Sequence, residues 1–265
     1  MYRKAVFAGS FYPSDREELM TLLDSFPKSD ESGALGVISP HAGYIYSGKY
    51  ASVSISSLEE KEIYVILSPN HTGLGAFFSV YPSGYWETPL GKIKVAEDFV
   101  DEFVNAFSYA EKDELAHLEE HSIEVILPFL QYFFEDFKIV PITLALDNPE
   151  ITKEAGMLLA KMSEEWDIGI IASSDFSHYV PSSVARKLDK MAIDRILSLD
   201  IEGFSDVRRY YDISICGYAG IEALMAFAKE KKLKGRLLAY GNSGEITGDY
   251  SSVVAYASLG FFRTF

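Results

Sequence analysis

Five histidines and a single cysteine are the side chains in this sequence best suited to holding a metal ion or moving a proton. Three of the histidines follow short apolar runs: His41 comes after GVISP, His71 after YVILSPN and His178 after IIASSDFS. If those runs are strands of one open α/β sheet, the three imidazoles emerge at strand carboxyl ends, where loops converge on ligands. Neutral imidazole is a common metal ligand, and two from neighbouring strand ends can reach one ion at about 2.0–2.1 Å. Cys216, in SICGYAGIEAL, stands at the expected start of a helix, whose dipole favours the metal-binding thiolate. His41, His71 and Cys216 are therefore the candidate ligands of a three-donor site with room for water or substrate.

Each of these residues also has an ordinary structural reading. A lone cysteine often serves as a small buried hydrophobe, and either histidine alone could be satisfied by backbone groups of its own turn. Only their joint placement favours a metal. Asp175, three residues before His178 in SSDFSH, can orient an imidazole or accept from a metal-bound water, or it can simply cap a turn. The segment HLEEH, 117–121, matches the zinc-peptidase pattern H-x-x-E-H, which needs one helix through both histidines. Apolar periodicity begins only at Ile123, so His121 falls at a helix start and His117 in a charged loop. That start suits a different role for His121, proton transfer or substrate hydrogen bonding alongside His178. No G-x-S-x-G elbow, Walker loop or G-x-G-x-x-G follows the first strands, so a serine hydrolase or a nucleotide cofactor is not indicated.

The elements that must position these groups alternate along the chain. Ser14 and Glu17 form an expected capping box for a helix over about 15–26, and ALGVIS at 34–39 reads as a buried strand ended by Pro40. A helix over 48–59, a strand over 62–71 and paired strands FFSVYP and GKIKV follow. Next come a helix near 97–108, a helix through HSIEVILPFLQYFF with Pro128 ending or kinking it, and the strand FKIVPITLAL. Helices over 149–166, 182–199 and 216–231 alternate with the strand at 167–178, and RLLAYGNSG and SSVVAYASLGFF close the chain. Long apolar strands between helices predict a three-layer α/β/α sandwich around a mostly parallel or mixed central sheet. No repeat or linker divides residues 1–265, which read as one domain.

Bulk chemistry narrows the partners. At 265 residues the chain can bury a large core, and 18 Phe and 17 Tyr supply rings to fill it. The 39 acidic residues outnumber 24 basic ones for a net charge of −15, which repels nucleic acid and anionic membrane surfaces. One cysteine excludes an internal disulfide, and neither a signal peptide nor an 18-residue apolar span is present, so a cytoplasmic location is expected.

Taken together, AGSFYP at 8–13, PHAGYIYSG at 40–48, SPNHTG at 68–73, EHSIEVILPFL at 120–130, SSDFSHY at 173–179 and ICGYAGIEAL at 215–224 resemble the Memo family over nearly the whole chain. The resemblance implies a fold similar to the class III extradiol dioxygenases, non-haem iron enzymes that cleave catechol rings. It assigns the pocket to His41, His71 and Cys216, with Asp175 nearby, and puts His121 and His178 where those enzymes keep acid-base histidines. The dioxygenases complete their iron site with a carboxylate. Cys216 replaces it here, and the softer, oxidisable thiolate shifts preference toward copper(I) or zinc and leaves ring cleavage unsupported. The implied cofactor is an iron or copper ion, with zinc as a third choice, and the implied role is redox or oxygenase-like chemistry on a small substrate. The alternative is a non-enzymatic module binding a peptide or small molecule in the same pocket, with Tyr44, Tyr46 and Trp86 as apolar walls. An animal member resembles an adaptor for phosphotyrosine peptides, and microbial members are associated with AMMECR1-like and radical-SAM proteins.

Overall fold

The computed structural model describes residues 1–264. Its strands are β1 (Tyr2–Arg3), β2 (Ala34–Ser39), β3 (Ile63–Pro69), β4 (Phe78–Val80), β5 (Tyr85–Thr88), β6 (Gly91–Val95), β7 (Glu111–Lys112), β8 (Lys138–Leu144), β9 (Ile168–Ser173), β10 (His178–Val180), β11 (Lys234–Asn242) and β12 (Val253–Phe262). The helices are α1 (Arg16–Ser25), α2 (Tyr44–Ser56), α3 (Glu97–Ala106), α4 (His121–Glu124), α5 (Leu127–Phe133), α6 (Pro149–Met162), α7 (Ser182–Leu197), α8 (Ile201–Tyr210), α9 (Tyr218–Glu230) and α10 (Gly244–Thr247).

All the strands belong to one mixed sheet, with β8, β3, β9 and β2 as adjacent parallel strands at its centre. Their apolar runs are buried along almost their whole length, as expected of strands covered on both faces. Helix α9 packs on β3 and β9 with α6 against it, and α2 packs on β2 and β12 beside α5. The α/β/α sandwich expected from the sequence is therefore the fold. Its parallel centre brings the carboxyl ends of β3, β9 and β2 side by side.

Several local expectations need correction. Asp15, not Ser14, caps α1: its carboxylate accepts from the N–H groups of Glu17 at 2.9 Å and Glu18 at 3.0 Å. Helix α2 begins at Tyr44, directly after Gly43, rather than at residue 48, because the Gly43 carbonyl accepts from Tyr46 and Ser47. The hairpin joins β5 to β6, whereas β4 pairs with β8 and β7. Pro128 separates two short helices and sits in the first turn of α5, where its missing N–H costs nothing. Helix α8 went unforeseen; Asp200 caps it through Gly203 N–H at 3.0 Å.

Candidate functional site

His41 and His71 lie just past the ends of β2 and β3, and Cys216 lies two residues before α9. One ligand atom from each comes within 4.8 Å of the other two, and His41 Nε2 is 3.3 Å from Cys216 Sγ. The close approach depends on Gly217, where a Cβ would collide with the Ser173 carbonyl at the end of β9. A backbone contact between α9's entry and a central strand thus delivers the thiol to the strand ends.

Hydrogen bonds fix which ring nitrogen of each histidine faces the site. The Ser173 hydroxyl donates to the Ser122 carbonyl at 2.7 Å, so at 2.8 Å from His41 Nδ1 it must accept. That leaves the lone pair of His41 on Nε2, toward Cys216. His71 Nδ1 donates to Glu120 Oε1 at 2.9 Å, and its backbone N–H reaches Oε2 of the same carboxylate at 2.6 Å. His178 Nδ1 donates to the Ser214 carbonyl at 2.7 Å. Each ring therefore has its δ nitrogen held by an acceptor and its ε nitrogen free, the arrangement in which outer partners orient metal ligands.

Burial dominates the electrostatics. Loss of solvent, reinforced by the neighbouring His121, His71 and His178, holds His41 well below the usual imidazole range. For His71 burial acts downward, but the Glu120 hydrogen bond and charge win and raise it. Burial would raise Glu120, yet hydrogen bonds from His71 and Ser122 bring it down to about 2. Burial lowers His121 to about 4 and raises Asp175 to about 6. The Cys216 thiol is pushed up by burial and by Asp175, so the helix start alone does not make it a thiolate. A cation at the three donors would supply the charge that does.

Asp175 lines the same space: its Oδ1 accepts from His41 N–H at 2.9 Å and its own N–H points at Cys216 Sγ at 3.2 Å. His121, the first residue of α4, stacks on His71 with ring centroids 4.8 Å apart and lies 5.3 Å from His41. His178 is partly exposed on β10. The six expected residues thus share one end of the sheet. His117 does not join them; it is fully buried and bonded to Ser79 at 3.0 Å and Thr143 at 3.2 Å. With His117 in a separate 3₁₀ turn, the peptidase pattern has no common helix. Tyr44 and Trp86 are core residues, the first bonded to the Val125 carbonyl and the second stacked under Arg3, so neither forms a pocket wall. Tyr46 is exposed.

Glu120 escaped the sequence reading because it looked like one more charge in an acidic run. The clue was its place immediately before a helix-start histidine. It also completes a second group with His71 and His121. Arg3 was missed as well, and it organises this segment from β1. It donates to the carbonyls of His117 at 2.7 Å and Glu120 at 2.8 Å and pairs with Glu124 at 2.5 Å. Glu124 in turn accepts from Phe7 N–H and the Tyr12 hydroxyl, each at 2.7 Å.

Fold and site define a class: α/β/α sandwiches that gather histidines and a thiol at the carboxyl ends of their parallel strands. The chain belongs to the Memo-like protein family, whose model matches residues 3–260. It is 44% identical to a MEMO1 family protein of Desulfurococcus amylolyticus, covering 98% of this chain and 99% of that protein. A MEMO1 family protein of Aquifex aeolicus is 42% identical, with 98% of both chains covered. The crystal structure of the uncharacterized protein JW3007 from Escherichia coli K12 superposes with a TM-score of 0.57 at 12% identity. That match covers 84% of this chain and 98% of the other, and it concerns the fold alone.

Proposed function

We propose that this chain is a metal-binding Memo-like protein in which His41, His71 and Cys216 hold one non-haem transition-metal ion, with iron or copper favoured over zinc. The observation that carries the reading is the gathering of two imidazole nitrogens and a sulfur within 4.8 Å of one another. Ligands about 2.0–2.3 Å from one ion have that mutual spacing, and three protein donors leave a position open for a small substrate. The donor chemistry fits, since imidazole suits iron, copper and zinc while thiolate favours the softer of these. Such an ion would supply Lewis acidity and, as iron or copper, one-electron chemistry. Around it, Glu120 would fix His71 and Ser173 would fix His41 in their binding tautomers. His121, low in basicity, and His178 are placed to exchange protons with a bound small molecule, and Asp175 to orient it.

X-ray absorption on protein purified without air tests the ligand set. One sulfur at about 2.3 Å and nitrogens at about 2.0–2.1 Å are expected. A sulfur contribution that survives Cys216→Ser would contradict the assignment.

A further inference from the structure

Two loop segments beside the candidate centre expose large apolar side chains that nothing in the fold covers. Leu74 is 40% exposed and Phe77 76% exposed on the segment that follows His71, and Leu115 and Leu118 are 48% and 46% exposed on the segment that precedes Glu120. The segments are laced together. Ala76 N–H donates to Asp113 Oδ2 at 2.9 Å, and a Cβ on Gly75 would stand 2.6 Å from the Ala116 nitrogen. Parallel pairing of β4 with β7 continues the union, matching Ser79 to Glu111. Four exposed apolar side chains on two joined loops form a patch rather than scattered surface residues.

Acidic residues flank that patch along the 111–119 segment. Glu111 and Glu119 are exposed and Glu114 is half-buried, while Lys112 is paired with Asp101 at 2.6 Å. Residues 70–78 contain no charged side chain apart from His71. Asp113 and Glu120 are occupied internally by backbone N–H groups. The surface therefore presents an apolar patch with an acidic rim along its 111–119 side. A second copy would bring the same rim against its own image across a twofold axis, and the net charge of −15 opposes that approach. A basic surface meets it without repulsion.

We infer that the patch of Leu74, Phe77, Leu115 and Leu118 is a docking surface for a partner protein that presents an amphipathic segment with an apolar face flanked by lysine or arginine. The claim does not depend on a metal. Docking here would set the partner beside His71, at the edge of the candidate centre.

The test uses two synthetic amphipathic helical peptides with the same leucine face, one lysine-flanked and one glutamate-flanked, titrated against the full chain by fluorescence anisotropy. Hydrogen exchange of the protein maps the contact. The lysine peptide should bind, weaken as salt rises, and protect amides near 72–77 and 113–119. Phe77→Ser combined with Leu118→Ser should reduce its affinity about tenfold or more, as loss of interface anchors does. Leu115→Ser alone provides a second readout, and because all three side chains are exposed the variants should melt like the parent. Equal binding of both peptides, or lysine-peptide binding unchanged in the serine variants, would overturn the inference. So would self-association by sedimentation that the same substitutions abolish.

Discussion

Glu120 is the residue on which the geometry of His71 turns. Its carboxylate accepts from both the ring and the backbone of His71 and is itself braced by Ser122 N–H at 3.0 Å and the Ser122 hydroxyl at 2.7 Å. Glu120→Gln keeps the size but removes the charge that fixes the ring's tautomer. Metal affinity should fall roughly 10–100-fold while the fold persists, as for other outer partners of metal ligands. Competition with a chelator of known affinity measures this, and an unchanged affinity would remove Glu120 from the site. His41, His71 and Cys216 were legible because each follows a strand or precedes a helix, where residue type and position coincide. Glu120 and Arg3 were not, because a buried charge is invisible until its partner, distant in sequence, is known: Arg3 and Glu124 lie 121 residues apart.

Among the elements, β10 holds local strain beside the site. Its pairing with β12 shifts register between His178 and Val180, and Tyr179 bulges out with φ +57° and 79% exposure. A bulky residue in that region costs about 1–3 kcal/mol. Bulges next to functional sites commonly re-aim a side chain, here the one following His178. Tyr179→Gly should therefore raise the denaturant midpoint, corresponding to an unfolding free energy higher by up to about 1 kcal/mol once glycine's greater unfolded-state entropy is subtracted. A lower midpoint would mean that the ring stabilises more than its backbone costs. The sequence displayed the long buried strands well, because continuous apolar runs have few other homes. It displayed two features poorly: α8, as long as α1 and α3, is separated from the end of α7 by only three residues, and β4 pairs with β8 rather than with β6.

Across the whole molecule, one buried acid outside the site should leave a mark on stability. Glu222, on α9, is fully buried against α6 and accepts from the Thr152 hydroxyl at 2.8 Å, while its Oε1 has no hydrogen-bond partner. Burial raises it from the ordinary 4.5 to about 7, against the lowering effect of Thr152 and Arg208. Between those two values the unfolded chain has released the proton that the folded chain still holds. The contribution of Glu222 to stability should therefore decline as pH rises from about 4.5 to 7, by an amount on the order of 3 kcal/mol, and level off above. Glu222→Gln should flatten that part of the profile in urea unfolding at pH 5 and pH 8. Identical slopes in parent and variant would contradict the reading. The three-layer sandwich was legible because strand and helix signals alternate, and among the described residues no helix is long and apolar enough to cross a membrane.

The most direct test of the account is metal content per chain by elemental analysis after purification without air. The parent protein should carry about one transition-metal ion, and His41→Ala and Cys216→Ser should each lose most of it while keeping the parent's circular dichroism. Equal metal in parent and both variants, or none in a parent reconstituted with iron(II), copper(I) or zinc, would contradict a centre at His41, His71 and Cys216.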